Sequence, residues 1–335
     1  MQVNVQKLAV TPGTRIQMTY LDALMEAQLE EMTRDEHVVL MGEDIAHHGG
    51  GKLIEQFGAN RIWNMPISEA SFTGMGIGAA INGLRPIVDL TTASFVYLAS
   101  DQIINQASKL RFMTGGQIDI PIVFRCSMFS LGSIAAQHAD RPYPLFMNVP
   151  GLKIISPTSA ADIKGLMKSA IRDDDPVLVF EDTGLWSDKG DVPTDPDYLI
   201  PIGKADVKRE GRDVTVIAIA GAMRPTMQAV DALAGEGISV EVIDPRTLKP
   251  LDHAAFKTSV AKTGRLVIVE NAHRVCNVGS EIAAVLAEEG FHLLKRPILR
   301  LSAPDIHAPF SPALEQNFYP TKDDIIAAIR RLRDR

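Results

Sequence analysis

Glu69 stands where a carboxylate can take part in chemistry. It follows Pro66 and precedes a glycine-spaced stretch through Gly74, Gly76 and Gly78. Proline is excluded from the centre of a sheet, so these residues predict a loop that delivers Glu69 to the start of a helix. An acid at that position either complements the helix dipole or serves as a general acid or base, and the local sequence leaves both uses open.

Histidine supplies a second candidate group. His138 lies in a loop that follows a predicted strand at residues 121–125, and α/β proteins place their sites in loops at the carboxyl ends of parallel strands. A catalytic and a structural histidine both remain open there. His47 and His48 lie in a glycine-rich loop without acidic or cysteine partners at ligand spacing, which favours solvated side chains over a metal site.

The glycines after Glu69 do not form a nucleotide-binding fingerprint. Their spacing is GxGxG, not GxGxxG, and no strand immediately precedes them. A helix side made of small residues instead allows another helix to approach closely. We therefore expect this helix to form a packing surface or a subunit contact.

The elements that must position these groups alternate along the chain. A helix is predicted from Thr19, and further helices at residues 101–113, 160–172, 227–233, 281–289 and from 323. Strands are predicted at residues 38–41, 86–90, 121–125, 152–156, 177–181, 214–220, 239–243, 266–270 and 298–301. This alternation predicts an α/β fold with two α/β domains on largely parallel sheets.

A polar stretch separates the two predicted domains. Residues 187–196 are so rich in turn-forming residues that we expect no helix or strand there. The predicted domains are residues 1–193 and 194–335.

Composition excludes several classes of protein. The 335 residues carry 34 Lys and Arg against 41 Asp and Glu, a net charge of -7, so a nucleic-acid partner is not expected. Cys126 and Cys276 show no paired spacing, which favours a reduced, cytoplasmic setting. The first 13 residues lack an apolar or arginine-rich targeting pattern, and the apolar run at residues 214–223 is shorter than the about 20 residues of a membrane helix.

Several blocks in order give the chain a family resemblance. They lie at residues 41–44, 66–69, 83–86, 101–106, 137–138, 150–153, 171–176, 242–248 and 250–252. With them the sequence resembles the beta subunit of thiamine diphosphate-dependent 2-oxo acid dehydrogenases, the decarboxylating first component of pyruvate, branched-chain 2-oxo acid and acetoin dehydrogenase complexes. The resemblance implies a transketolase-like pyrimidine-binding domain followed by a transketolase C-terminal-type domain that serves subunit association.

The resemblance also implies roles for four side chains. The family glutamate matching Glu69 hydrogen-bonds the pyrimidine ring nitrogen of the cofactor and so promotes removal of the thiazolium proton. Phe95 matches the aromatic residue that packs on the pyrimidine. His138 matches a histidine near the reacting carbon, and Glu43 an acidic residue of the channel between paired active sites.

A structural potassium site is implied as well. The family builds it largely from backbone carbonyl groups, and the matching residues are Ile122, Ala170, Ile171, Asp173 and Asp175. Carbonyl ligands leave little trace in side-chain types, and an acidic stretch such as residues 173–175 is also typical of an ordinary turn.

The resemblance requires a second chain. Family enzymes hold the diphosphate through Mg²⁺ bound by a Gly-Asp-Gly stretch, and this sequence contains none. An alpha subunit is therefore expected to complete each site in an α2β2 heterotetramer. The implied substrate is a 2-oxo acid or acetoin, and the implied acceptor is lipoamide on an acyltransferase core protein.

Three departures from the family pattern keep other functions open. Leu98 stands where relatives often have Glu or Gln, residues 139–144 replace a Ser-Gln continuation with one that contains two prolines, and residues 126–131 are bulkier than usual. One alternative is transfer to a carbonyl acceptor, as in a transketolase or synthase. The other is a scaffold or regulatory subunit without catalytic activity.

Overall fold

Strands and helices alternate through the part of the chain that the structure describes. The structure is a computed structural model that describes residues 13–46 and 50–334, so His47 and His48 lie outside the described residues. Its strands are β1 (Arg15–Thr19), β2 (Val38–Gly42), β3 (Ile62–Asn64), β4 (Arg85–Thr92), β5 (Val123–Met128), β6 (Lys153–Ile155), β7 (Val177–Asp182), β8 (Lys189–Pro193), β9 (Asp206–Arg209), β10 (Val214–Ile219), β11 (Val240–Asp244), β12 (Thr247–Lys249), β13 (Leu266–His273) and β14 (Leu299–Ala303). Its helices are α1 (Tyr20–Arg34), α2 (Gly51–Phe57), α3 (Glu69–Ile81), α4 (Ser108–Met113), α5 (Tyr143–Met147), α6 (Ala160–Arg172), α7 (Met223–Ala234), α8 (His253–Thr263), α9 (Val278–Glu289), α10 (Pro312–Glu315) and α11 (Lys322–Arg333).

Two largely parallel sheets organise the described residues, as the alternation predicts. The larger sheet has the strand order β12-β6-β7-β5-β4-β2-β3, in which only β12 is antiparallel to its neighbour. The second sheet has the order β14-β13-β10-β11-β9, with β9 antiparallel. The predicted α/β fold with two parallel-sheet units is confirmed, and each predicted strand is present with its ends shifted by at most three residues.

Helices cover the sheets through apolar faces. α1 is capped by Thr19, whose hydroxyl accepts a hydrogen bond from the Asp22 amide, and it buries Leu24 and Met32 against the larger sheet. α1 packs on α6, where the ammonium groups of the buried residues Lys164 and Lys168 pair with carboxylates of α1. None of the helices in the described ranges combines the length and apolar character needed to cross a bilayer.

The expectation of no element at residues 187–196 is wrong. β8 forms there and pairs antiparallel with β1, Gln17 lying opposite Asp191 and donating to its carboxylate at 2.6 Å. Turn-forming residues weaken a strand, but an edge ribbon of two strands tolerates them when a partner backbone supplies the hydrogen bonds.

Gly76 fixes how α3 rests on the larger sheet. A Cβ atom on this residue would lie 2.7 Å from Val88 Cγ2 and 3.3 Å from Ile122 Cδ1, so only glycine lets the helix approach β4 this closely. Gly78 faces open space, and Gly74 meets only Gln102 Cγ at 3.7 Å. The small-residue side of α3 therefore serves internal packing at Gly76 and stays uncovered at Gly78.

Candidate active site

Four loops meet at the carboxyl edge of the larger sheet. The neighbouring strands β5, β4, β2 and β3 run parallel, so the segments that follow them emerge side by side. Those segments carry His138, Phe95, Glu43 and Glu69 respectively. The topology thus brings together four residues that are far apart in sequence.

Glu69 is the first residue of α3 and is 5% exposed. Ser68 occupies the N-cap position, but its side chain makes no capping hydrogen bond and donates to Ser71 Oγ at 2.8 Å. The Glu69 carboxylate is therefore buried at the positive end of the helix dipole, as the sequence predicts. A carboxyl group in this position can exchange a proton with a ligand that binds at this edge of the sheet.

Glu43 is the second buried carboxylate of the site. It follows β2, and its Oε2 atom has no hydrogen-bond partner among the described residues. Burial raises the pKa of Glu43, and the negative charges of Glu69, Asp44 and Asp89 raise it further. Two buried carboxylates, one with an oxygen that has no partner in the described part of the chain, fit a ligand that brings N–H donors or a basic ring nitrogen.

Phe95 and His138 form the aromatic side of the site. Phe95 is half-buried in a short turn after β4, and its ring centroid lies 5.6 Å from that of the exposed His138, with the ring planes at 72°. Thr91 has a φ of 57°, and its amide donates to the Asp89 carboxylate at 2.9 Å. This bend at the end of β4 sets the direction of the turn that carries Phe95.

Unpartnered hydroxyl groups line the same segments. Thr73, one turn beyond Glu69 on α3, and Thr91 and Ser94 beside Phe95 each have a buried side-chain oxygen without a partner among the described residues. Buried hydroxyls are ordinarily hydrogen-bonded. Three hydroxyl groups in these segments, unpartnered within the described chain, therefore indicate that a polar ligand binds at this edge of the sheet.

A hydrogen bond between Tyr97 and Asp140 joins the segment that carries Phe95 to the loop that carries His138. The sequence analysis did not identify this pair. Burial raises the pKa of Tyr97, and its hydrogen bond to the Asp140 carboxylate adds to the effect. Leu98, beside it, is 61% exposed. The sequence marks residues 139–144 as unusual for the family. It does not show that Asp140 of this segment pairs with Tyr97, because the two residues are far apart in the chain.

The two prolines of that loop have a simple structural use. Pro142 is the N-cap of α5, and Pro144 lies in its first turn, where a missing backbone N–H costs nothing. The loop that carries His138 therefore ends in a rigid helix start.

The residues of the implied potassium site lie at the opposite, amino edge of the sheet. Arg85 donates to the backbone oxygens of Ile171 at 2.9 Å and Asp173 at 2.7 Å, while the Ile122 oxygen accepts the Val177 amide at 3.0 Å. Ala170 lies in the last turn of α6, and Asp175 lies between α6 and β7, where its carboxylate accepts from Arg111 and Lys153. Each carbonyl oxygen has two lone pairs, so these bonds leave acceptor capacity for a cation.

Comparison with known proteins identifies the family. The transketolase pyrimidine-binding domain matches residues 16–187, and the transketolase C-terminal domain matches residues 203–325. The beta subunit of an acetoin:2,6-dichlorophenolindophenol oxidoreductase of Bacillus subtilis is 42% identical over 330 residues, which cover 93% of this chain and 96% of that protein. The 2-oxoisovalerate dehydrogenase subunit beta of B. subtilis is also 42% identical, over 94% of this chain and 98% of its own length. The chain belongs to this family of transketolase-like dehydrogenase beta subunits.

Two further similarities agree with the assignment. The pyruvate dehydrogenase E1 component subunit beta of Rhizobium meliloti is 40% identical over 96% of this chain and 71% of that protein. A solved structure described as a split-gene transketolase, an inactive β4 tetramer, has a TM-score of 0.78 at 24% identity and covers 96% of this chain and 99% of its own. At that identity the solved structure supports the fold alone.

Proposed function

We propose that this chain is the beta subunit of a thiamine diphosphate-dependent enzyme that decarboxylates a 2-oxo acid, or cleaves acetoin, and transfers the acyl group to lipoamide. The observation that carries the proposal is the convergence of Glu43, Glu69, Phe95 and His138 at one sheet edge. The relatives that support it are named for three different substrates at similar identity, so the class of substrate is proposed and not the individual compound.

Each residue has a role that follows from its position. Glu69 would hydrogen-bond the pyrimidine nitrogen of the cofactor, because its carboxyl group is buried at the edge of the sheet. Glu43 accepts a hydrogen bond through its unpartnered oxygen, and the half-buried Phe95 packs on the ring. His138 is exposed beside Phe95 and can orient the substrate or move a proton. When bound, thiamine diphosphate supplies the electron sink for loss of carbon dioxide.

A second chain completes the site in this proposal. The sequence has no Gly-Asp-Gly stretch, so we assign the Mg²⁺ and the diphosphate to an alpha subunit and the assembly to an α2β2 heterotetramer. A lipoyl acyltransferase is the proposed receiver of the acyl group. α3 begins at Glu69, and its uncovered side at Gly78 is the proposed contact for the alpha subunit.

Substitution of Glu69 tests the catalytic proposal. In the enzyme assembled with its alpha subunit, Glu69→Gln should lower the rate of 2-oxo acid decarboxylation by about 100-fold or more, since a positioned acid–base group contributes about 10² to 10⁴. The matched control is Glu281→Gln, which changes an exposed acid in the first turn of α9 and should leave turnover unchanged.

The outcomes separate the competing functions. Unchanged turnover in Glu69→Gln would reject the role of this residue. Formation of product with added aldehyde acceptor, and none with lipoamide, would favour the transketolase-like alternative. Absence of cofactor binding by the assembled wild-type pair in calorimetry would favour the scaffold.

The potassium site is a separate proposal with its own test. Carbonyl groups around residues 171–173 retain acceptor capacity, and a cation that binds only the folded chain stabilises it by mass action. The melting temperature should therefore be higher in KCl than in choline chloride at equal concentration. Equal melting temperatures in the two salts would exclude the site.

A further inference from the structure

The loop that carries His138 has a backbone shape that its own sequence does not favour. Within residues 129–142, between β5 and α5, Leu131, Ser133 and Ala135 have φ values of 63°, 57° and 61°, and Gly132 has 104°. Residues with a Cβ atom rarely adopt this left-handed conformation. Such a loop persists only when surrounding structure holds it in place.

One support comes from a buried acid in the second half of the chain. Glu315, at the end of α10, is 3% exposed, and its Oε2 atom accepts the backbone amide of Ser133 at 2.9 Å. The acceptor meets the loop in the middle of its left-handed residues. Loss of this acceptor would leave the Ser133 amide without its partner, so the contact is suited to fix the loop.

A second support, Arg141, links the two ends of the loop to each other. Arg141 is buried, and its Nη1 donates to the backbone oxygens of Phe129 at 2.9 Å and Ala139 at 3.0 Å. Its Nη2 also bonds Ser130 Oγ and lies 3.5 Å from the Asp182 carboxylate. One guanidinium group therefore ties the start of the loop to the residue directly after His138.

Tyr319 joins the second support to the C-terminal domain. The Cζ atom of Arg141 lies 5.1 Å from the centroid of the Tyr319 ring, and the Tyr319 hydroxyl lies 3.5 Å from the Ala139 oxygen. A guanidinium over an aromatic face is held by attraction to the ring electrons, which is stronger in a buried place. Residues 312–319 thus contact the His138 loop at its middle and at its closed end.

We infer that Glu315 and Tyr319 are positioning residues that hold the His138 loop at the candidate active site. The second domain of this chain then has a part in catalysis besides subunit association. The inference rests on the proposed function where it concerns His138 in turnover. The fixation of the loop stands on the contacts alone.

Hydrogen–deuterium exchange on the enzyme assembled with its alpha subunit tests the fixation. Glu315→Ala removes the acceptor of the Ser133 amide and should speed exchange in peptides from residues 129–142 by about tenfold. Glu315→Gln keeps an acceptor oxygen and should remain close to the wild type. The matched control is Glu241→Ala, another buried acid of the second domain, which accepts the Gly211 amide and pairs with Lys262.

Wild-type protection of the loop in Glu315→Ala would overturn the inference. An equal increase in the Glu241→Ala control would overturn it too, because the effect would then reflect general destabilisation. Tyr319→Phe should exchange as the wild type does, since the ring remains, whereas Tyr319→Leu should exchange faster.

A double-mutant cycle tests the link to His138. Glu315→Ala should lower kcat/KM for the 2-oxo acid about tenfold in the wild-type background and by less than about twofold in His138→Asn, since a residue that acts through His138 has nothing further to lose. Equal losses in both backgrounds would overturn the positioning role. If the assembled wild type turns over neither a 2-oxo acid nor acetoin, the proposed function fails, while the exchange experiment still decides whether the loop is held.

Discussion

Two buried carboxylates with unfavourable mutual electrostatics lie at the edge of the larger sheet. Glu43 and Glu69 are each almost fully buried, and neither belongs to an ion pair within the described residues. Such an arrangement works against the stability of the chain by itself, because facing like charges repel and burial disfavours ionisation. Local conflict of this kind is typical of a site that is completed by a ligand.

The raised pKa of Glu43 predicts how the stability of the chain changes with pH. Burial and Glu69 raise it, so the folded state binds the proton more tightly than the unfolded chain does. The stability of the fold therefore falls as the pH rises from the ordinary glutamate value of about 4.3, and the full penalty is present above the raised pKa.

Glu43→Gln should stabilise the cofactor-free chain near neutral pH. The variant removes one of the two negative charges, so its melting temperature at neutral pH should rise by about 2 °C. The gain should shrink towards pH 4, where Glu43 takes up its proton. Thermal unfolding across this pH range is the measurement, with the exposed Glu55→Gln as control. A melting temperature that does not respond to Glu43→Gln at neutral pH would show that the charges do not oppose each other.

At the scale of elements, α3 carries two glycines with opposite structural demands. Gly76 lies against Val88 of β4, where a Cβ atom has no room, and Gly78 faces open space. Glycine inside a helix is otherwise unfavourable relative to alanine, by about 1 kcal/mol. An unneeded glycine on the open side therefore points to a neighbour that is not part of this chain.

The two glycines should respond oppositely to alanine. Gly76→Ala should lower the free energy of unfolding by about 1 to 3 kcal/mol, because the helix must move away from Val88. Gly78→Ala should raise it by about 0.5 to 1 kcal/mol and weaken association with the alpha subunit. Urea unfolding of the isolated chain and sedimentation of the mixed subunits measure the two effects. Unchanged association in Gly78→Ala would exclude this side of α3 as the contact.

The sequence predicted elements well where the signal is local. Runs of apolar β-branched residues located the strands, and the proline before Glu69 predicted the loop and the start of α3. Lys189–Pro193 was missed because it becomes a strand only through pairing with β1, which lies far away in the chain. Pairing partners at such separation leave no local pattern.

At the scale of the whole molecule, the two sheets are joined by specific contacts. β12, from the second half of the chain, adds an antiparallel edge strand to the first sheet at β6. The Tyr143 hydroxyl of α5 donates to the Glu270 carboxylate of β13 at 3.4 Å. Glu315 and Tyr319 reach the His138 loop only because the two sheets pack together in this way. The sequence therefore indicated the four candidate site residues at the sheet edge but not the two residues that support the loop.

Glu270 makes that junction sensitive to pH. It is fully buried, and the loss of solvent raises its pKa to about 8, although the Gly279 amide and the Tyr143 hydroxyl oppose the shift. The folded chain keeps a proton on Glu270 that the unfolded chain loses above about pH 4.3. Stability should therefore decrease between that pH and about 8 and then become independent of Glu270.

Glu270→Gln should remove this part of the pH dependence. Tyr143 and Gly279 donate to different oxygens of Glu270, and glutamine keeps one of these acceptors. The amide does not ionise, so the variant should gain stability over the wild type by up to about 1.4 kcal/mol per pH unit as the pH rises. The gain should level off above about pH 8, the pKa of the buried acid. Urea unfolding at a series of pH values gives the difference directly, and the exposed Glu288→Gln should show none. A constant difference between variant and wild type from acid to alkaline pH would mean that Glu270 is already ionised in the folded chain, and that the domain junction holds a buried charge in place of a proton.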